Sequence, residues 1–208
     1  MHCEDHGIVF NASLPLYKDA IHQKGSMRSN DNGDDMSMMV GTVLSGFEYR
    51  AQKEKYDNLY KFLKENEKQY QYTGFTKEAI NKTQNSGYEN EYFYISAIPY
   101  NLAEYRDYFE PLLNKSDSEF SKELSNVKKQ LKDKSKVSVT TTLFSKKKNY
   151  TKKSNSENVI KMAEEIKKDK EIPNGIELSI KFSDNKINTV KPNFNGESTS
   201  EYGVFDQE

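Results

Sequence analysis

The chain has 208 residues, of which 34% are hydrophobic and 30% are charged, and its formal net charge is −1. A charge this close to zero excludes attraction of the whole molecule to nucleic acid or to an anionic lipid surface. Only three of the 31 basic residues are arginine, the residue that makes most bidentate contacts with phosphates and bases, so sequence-specific nucleic-acid binding is not expected.

The first strand is predicted at Gly7–Tyr17, where apolar and polar residues alternate as they do in a strand with one buried face. Pro15 has no N–H to donate, which places the later part of this strand at the edge of a sheet. Residues 22–35 are polar and rich in Gly, Asn and Asp, and they predict a mobile loop.

Helices are predicted next. Apolar residues recur every three or four positions over residues 36–47 and again over residues 56–63, with a break near Gln52, which is the pattern of a buried helical face. Gly41 lies inside the first pattern, where the missing side chain permits close packing. Thr76 is the predicted N-cap of a further, short helix.

Three more segments alternate in the same way and predict strands: Glu91–Tyr100, Lys136–Ser145 and Gly175–Ser183. Asn101 is the predicted N-cap of the helix after the first of them. Leu102, Tyr105 and Phe109 are expected to face inward from this helix, and Pro111 limits its length. A second helix is expected to follow it and to begin at residue 116 or 117.

The last part of the chain changes composition twice. Residues 146–155 are basic and predict a loop, and residues 156–170 carry the apolar spacing of a helix. Residues 186–190 follow a turn signal and could pair as a hairpin with the last predicted strand. From residue 191 the sequence is polar and acidic, so residues 191–208 are predicted to form a flexible tail.

Together these elements predict a single α+β domain over residues 1–190, with a mixed or mostly antiparallel sheet of four to five strands and helices packed on one face. Each predicted strand has one polar face, whereas strands of a parallel sheet covered on both sides read as continuous apolar runs. No apolar run reaches the roughly 20 residues that span a bilayer, and no signal peptide is recognised, so the chain as given is expected to be soluble.

A metal site is one hypothesis for the start of the chain. His2, Cys3 and His6, with His22 further along, are ligand types that zinc and copper prefer. Their spacing matches no closed structural site, and the alternative is a chance cluster. No cofactor is predicted. Cys3 is the only cysteine, which excludes an intrachain disulfide bond.

A carboxylate-based hydrolase is a second hypothesis. Glu89, Glu91, Glu104, Asp107 and Glu110 lie among tyrosines, and glycosidases use two carboxyl groups at a set separation. The alternative is that these side chains are the solvated faces of helices. The sequence contains no nucleophile elbow and no metalloprotease motif, so no catalytic residue is assigned, and the sequence favours a protein that is not an enzyme.

A third hypothesis concerns Lys146, Lys147, Lys148, Lys152 and Lys153, which could bind a polyanion of the cell envelope. The alternative is a solvated loop whose lysines protect the edge of a sheet from mispairing.

The order and content of several segments resemble a family of uncharacterised lipoproteins of staphylococci and their relatives. The segments are MVGTVLSGFEY, KEKYDNLYKFLKE, TGFTKEAINKT, EYFYISAI, SVTTTLF and PNGIELSIKFSDNKI, and the resemblance covers roughly residues 7–190. It implies an exported protein, held by a lipid on an N-terminal cysteine that follows a signal peptide. Cys3 lacks the small-residue run that precedes such a cysteine, so it is not assigned as the lipidated residue, and the chain is expected to be a fragment of a longer member or a truncated reading frame.

The function that the sequence favours is therefore a non-enzymatic, extracytoplasmic binding domain of a bacterial surface lipoprotein. Its expected partner is a protein or a cell-envelope polyanion, and contact with the membrane is expected only through the lipid anchor. The alternatives are a soluble immunity-type or other protein-binding protein and, less favoured, the hydrolase.

Overall fold

The computed structural model describes the backbone of residues 2–5, 8–13, 16–17, 20–24, 28–29, 35–83, 87–146, 152–183 and 199–207, and the side chains of residues 39–80, 87–146 and 157–183. The strands are β1 His2–Asp5, β2 Ile8–Ser13, β3 Leu16–Tyr17, β4 Ala20–Lys24, β5 Arg28–Ser29, β6 Tyr72–Thr73, β7 Phe93–Pro99, β8 Ser135–Ser145, β9 Ile176–Ser183 and β10 Thr199–Gln207. The α-helices are α1 Asp35–Ala51, α2 Lys53–Glu65, α3 Glu67–Tyr70, α4 Lys77–Thr83, α5 Leu102–Glu104, α6 Asp117–Lys134 and α7 Lys152–Lys168.

The main sheet is mixed, which confirms the predicted α+β class. Its strand order is β10-β9-β8-β6, and β7 also pairs with β8. β8 and β9 run parallel, from the Ser138–Glu177 pair to the Phe144–Ser183 pair. β9 pairs with β10 antiparallel, and so does β8 with β6. Among the helices of the described residues, none is long and apolar enough to cross a membrane.

The predicted alternation is present in β9. Ile176, Leu178, Ile180 and Phe182 are at most 4% exposed, and the residues between them are half-buried. β8 shows the same alternation until its last residues, which are buried one after another. Because each of these strands buries one face, the period of two in the sequence is enough to set the direction of every side chain.

The N-terminal strands correct part of the prediction. The segment predicted as one strand, Gly7–Tyr17, is divided into β2 and β3, and β2 lies in a separate three-stranded sheet of order β1-β2-β5. Its two neighbours pair with different halves of it, β1 with Ile8–Asn11 and β5 with Ala12–Ser13. The predicted loop at residues 22–35 contains the end of β4 and the whole of β5. Pro15 lies outside the described residues.

The C-terminal part also differs from the prediction. Residues 199–207, predicted to belong to a flexible tail, form β10 and pair with β9 over its full length. Helix α7 begins at Lys152, so the end of the predicted basic loop is helical. The predicted hairpin partner at residues 186–190 lies outside the described residues.

Three helices begin at the N-cap residues that the sequence predicted. The Asn101 side chain accepts a hydrogen bond of 2.9 Å from the backbone N–H of Glu104. Ser116 and Glu119 form a capping box at the start of α6, in which each side chain is paired with the other residue's N–H. Thr76 accepts at 3.1 Å from the N–H of Ala79 at the start of α4.

The chain divides into two compact units, each discontinuous in sequence. Unit 1 consists of residues 1–51, 82–88 and 95–137, and unit 2 of residues 52–81, 89–94 and 138–208. The single domain predicted for residues 1–190 stays a prediction.

The core of unit 1 brings α1 against β7. A Cβ atom on Gly41 would lie 3.3 Å from the carbonyl oxygen of Ala97, so the absence of a side chain there lets the helix approach the strand, as predicted. One turn later the Ser45 hydroxyl donates at 2.8 Å to the carbonyl oxygen of Ile95 and accepts at 2.8 Å from the N–H of Tyr88. The helix thereby covers backbone groups of β7 that face away from β8.

Candidate functional site

Unit 1 carries a concentration of exposed apolar side chains. Ile98, Tyr100, Leu102 and Tyr108 are 63%, 65%, 38% and 44% exposed, and they fall within eleven consecutive residues. Among the described side chains, only two other large hydrophobic residues are exposed. We call these four residues the 98–108 surface.

The backbone turns sharply after β7 and so presents this surface. Asn101 caps the one-turn helix α5, which continues as a π-helical turn at Tyr105–Phe109 and a 3₁₀ turn at Glu110–Asn114. Tyr105 and Phe109 are buried and fix the π-helical turn to the core of unit 1. Such turns are rare and occur frequently at functional sites.

The turn that contains Tyr108 is wider than an α-helical turn. The N–H of Glu110 bonds to the carbonyl oxygen of Tyr105, five residues back, so one extra residue enters the turn. Leu102 was predicted to face inward and is instead 38% exposed, because the helix that would bury it lasts one turn before this change of geometry. The inward direction predicted for Tyr105 and Phe109 is confirmed.

Lys134, at the end of α6, links this segment to the start of β8. Its ammonium lies 3.4 Å from Glu104 Oε1 and 5.0 Å from the centre of the Tyr108 ring. Its carbonyl oxygen accepts a hydrogen bond of 2.9 Å from the N–H of Tyr100. The backbone of Tyr100 and the ring of Tyr108 therefore both contact this lysine.

Two oxygen atoms near Lys134 lack a hydrogen bond. Oε2 of Glu104 and Oε1 of Gln130 are shielded from solvent without a partner. Gln130 is one helical turn before Lys134 on α6, so the two side chains share a face of the helix. Leaving a buried acceptor unsatisfied costs about 1–3 kcal/mol, so both atoms would gain from a donor.

Unit 2 contains a network of tyrosines and carboxylates. Tyr60 donates to Glu91 at 2.9 Å, and Tyr92 donates at 2.9 Å to Glu67, whose other oxygen accepts from Lys146 at 3.0 Å. Burial, followed by the hydrogen bond to the carboxylate, raises the pKa of Tyr60 and that of Tyr92. The acceptor oxygens named here are all occupied by hydrogen bonds.

A third tyrosine of unit 2 behaves in the same way. Tyr70 donates to Glu165 on α7 at 3.0 Å. Burial raises the pKa of Tyr70 to about 12, and the hydrogen bond to Glu165 acts in the same direction. The Tyr60–Glu91 bond joins α2 to the segment before β7, and the Tyr70–Glu165 bond joins α3 to α7. These bonds stabilise the packing of unit 2.

The predicted polyanion site is only partly described. Lys146 is exposed at the end of β8 and pairs with Glu67. Lys147 and Lys148 lie outside the described residues, and Lys152 and Lys153 form the start of α7, where the backbone alone is described. Binding of a polyanion at these lysines stays a prediction.

The predicted carboxylates fall in both units. Glu89 and Glu91 belong to unit 2, where Glu91 accepts from Tyr60. Glu104, Asp107 and Glu110 belong to unit 1, where Glu104 is paired with Lys134 and the other two are exposed. A role for any of them in hydrolysis stays a prediction.

The side chains of the predicted metal ligands lie outside the described part of the chain. His2 and Cys3 lie on β1 and His22 on β4, where the backbone is described, and His6 lies outside the described residues. Among the side chains that the structure does describe, no group of three or more His, Cys, Asp and Glu could hold a metal ion.

The sequence did not indicate the 98–108 surface. Its one available signal was that Ile98 and Tyr100, two large apolar residues, continue the polar-facing phase of β7, in which Tyr94 and Ser96 are half-buried.

The comparisons with other proteins give one family. A search of curated proteins finds no match. The structure is similar to the crystal structure of a DUF1672 family protein from Staphylococcus aureus subsp. aureus Mu50, with a TM-score of 0.74 and 51% sequence identity, over 99% of this chain and 74% of that chain. The family model described as "Protein of unknown function (DUF1672)" matches residues 1–208. The chain therefore belongs to the DUF1672 family.

Proposed function

We propose that this chain is a non-enzymatic binding domain of a bacterial surface lipoprotein and that it binds a protein partner through the 98–108 surface. The observation that carries the proposal is the exposure of Ile98, Tyr100, Leu102 and Tyr108 in one short segment. Contiguous exposed apolar side chains mark interaction sites, and tyrosine is enriched in them because it offers a large apolar ring with a polar end.

The rigidity of the segment supports this role. Its backbone is held by the Asn101 cap, by the hydrogen bond from Tyr100 to Lys134 and by the buried rings of Tyr105 and Phe109. A surface whose backbone is already ordered binds with a smaller loss of conformational entropy than a mobile loop does.

The extracytoplasmic location in the proposal comes from the resemblance to staphylococcal lipoproteins, and the 51% identity to a Staphylococcus aureus protein agrees with that group of organisms. The alternative is a soluble protein-binding protein. Metabolic labelling of the native gene product with a fatty-acid analogue, followed by fractionation, separates the two. A lipidated product in the membrane fraction is expected, and an unlabelled product found only in the cytosol would contradict the lipoprotein part of the proposal.

Binding at the 98–108 surface is tested by substitution. Ile98→Ser and Tyr100→Ser remove apolar area from exposed positions, so both variants should fold normally. Ile160→Ser is the matched control, because Ile160 is 58% exposed and lies elsewhere, on α7 of unit 2.

The readout is a photo-reactive side chain placed at position 108 in the native host. We expect one discrete cross-linked partner, which is lost in Ile98→Ser and Tyr100→Ser and retained in Ile160→Ser. A partner that is retained in all three variants would show that binding does not use this surface.

A further inference from the structure

We infer that the partner of the 98–108 surface presents a basic side chain, arginine or lysine, next to an apolar one, and that the basic group donates hydrogen bonds to Glu104 Oε2 and Gln130 Oε1. This inference rests on the proposed function and names the chemistry of the ligand at that same site.

The first reason is the pair of acceptors without donors. Within the described side chains, the buried oxygens that lack a hydrogen bond include one on Glu104 and one on Gln130. The Lys134 ammonium is 3.4 Å from Glu104, and Gln130 precedes Lys134 by one turn on the same face of α6. The ammonium occupies Oε1 of Glu104 and leaves Oε2 open, and a carboxylate accepts several hydrogen bonds at once.

The second reason is that both oxygens lie just below the surface. Glu104 and Gln130 are half-buried residues, and the Glu104 side chain is 23% exposed. A partner reaches these oxygens after a change of side-chain rotamer, and such changes are common when interfaces form. A donor arriving with the partner removes the cost of the two unsatisfied acceptors.

The third reason is charge. The segment from Leu102 to Asn114 contains three carboxylates, Glu104, Asp107 and Glu110, against one arginine, Arg106. Asp107, Glu110 and Arg106 are all exposed. Lys134 of the facing helix α6 contacts the segment and is held between Glu104 and the ring of Tyr108. The remaining negative charge beside the apolar side chains is complementary to a cation.

A basic residue fits this arrangement better than a neutral sugar does. Sugar hydroxyls can also donate to carboxylate and amide oxygens, but Ile98 and Leu102 offer branched aliphatic surface, which is complementary to apolar protein side chains. Carbohydrate binding is thus a competing outcome of the test.

The experiment uses the whole chain as bait for a displayed library of random peptides. We expect enrichment of peptides in which Arg or Lys adjoins Leu, Ile or Phe. A synthetic copy of an enriched peptide should bind Glu104→Gln at least about tenfold more weakly than the unchanged chain, which is the range expected for a lost hydrogen bond to a charged group.

Glu123→Gln is the matched control, because Glu123 is also half-buried, also pairs with a lysine (Lys115, at 2.7 Å) and also belongs to unit 1. It should leave the affinity within twofold. Gln130→Leu removes an unsatisfied oxygen. It should therefore lower the affinity for the peptide and leave the urea midpoint of unfolding unchanged or higher. A merely structural role for Gln130 would lower that midpoint instead.

The outcomes separate the inference from the proposed function. Enriched peptides without a basic residue that still need Ile98 and Tyr100 would overturn the inference and leave the proposed function standing. Peptides that bind Ile98→Ser and Tyr100→Ser as tightly as the unchanged chain would contradict both the inference and the proposed function. The absence of any enriched peptide would also contradict both. Binding of neutral oligosaccharides on an array, lost in Glu104→Gln, would assign the site to carbohydrate and overturn the inference.

Discussion

The hydroxyl group of Ser45 donates to the carbonyl oxygen of Ile95 across 2.8 Å, and this single hydrogen bond joins a helix to the outer side of a strand fifty residues away. The same hydroxyl oxygen accepts from the N–H of Tyr88. Ser45 is fully buried, its hydrogen bond to the Ile95 carbonyl is buried, and Tyr88 is half-buried.

Ser45→Ala should therefore be strongly destabilising. It leaves the buried Ile95 carbonyl and the half-buried Tyr88 N–H without this partner. A buried unsatisfied group costs about 1–3 kcal/mol and a half-buried one less, so we expect the free energy of unfolding to fall by about 2–4 kcal/mol. Urea denaturation measures this change. Ser121→Ala, which removes an exposed hydroxyl bonded to the carbonyl of Asp117, is the control and should change the free energy by less than about 0.5 kcal/mol.

Gly74→Ala should destabilise more than Gly41→Ala. A Cβ atom on Gly74 would lie 2.8 Å from the carbonyl carbon of Glu91 and 2.9 Å from the Tyr92 ring, and the backbone of the neighbouring segment would have to move. At Gly41 the nearest atom would be 3.3 Å away, so a small shift suffices. Thermal unfolding of the two variants compares them, and a Gly41→Ala midpoint below that of Gly74→Ala would contradict the contact distances.

Ser116→Ala should lower stability by about 1 kcal/mol, because it removes one side of the capping box at the start of α6. The Ser116 side chain and N–H also hold the pKa of Glu119 below its ordinary value. A group with a lowered pKa stabilises the fold above its unfolded pKa and loses that effect as the pH falls. The difference between Ser116→Ala and the unchanged chain should accordingly shrink on going from pH 7 to pH 3, as measured by urea denaturation.

Alkaline pH should destabilise the chain through its buried phenols. The pKa of Tyr70 is raised by burial to about 12, from an ordinary value of 10.0. Since the folded state holds this proton more tightly than the unfolded state, the stabilisation is fully present below pH 10 and is lost as the pH rises toward 12.

Tyr70→Phe tests this dependence. The unfolding free energy of the unchanged chain should fall between about pH 10 and pH 11, and the variant should show a shallower fall over the same interval. Tyr100→Phe, at a side chain that is 65% exposed, serves as the control. Equal slopes for all three proteins would show that the Tyr70 phenol does not contribute.

The features that the sequence predicted are local ones. The capping residues Asn101 and Ser116 act on N–H groups three positions away, and the alternation in β9 needs only one buried face. These depend on a few neighbouring residues, so a short window of sequence contains all the information.

The features that it missed depend on distant partners or on a change of helix geometry. β10 has a polar sequence, and it is a strand because β9 offers it an edge with a matching register. Leu102 is exposed although its spacing from Tyr105 predicts an inward direction, and the helix changes from α to π geometry just after it. The candidate site lies at that change of geometry, which a 3.6-residue pattern does not contain.

The position of β10 also has a consequence for synthesis of the chain. β9 has one neighbour, β8, until residues 199–207 have been made, and its alternating apolar residues then lie beside an unpaired edge. An unpaired edge of this kind can pair with another copy of itself. A nascent chain that pauses before residue 199 should thus be the form most exposed to chaperones and most prone to aggregate.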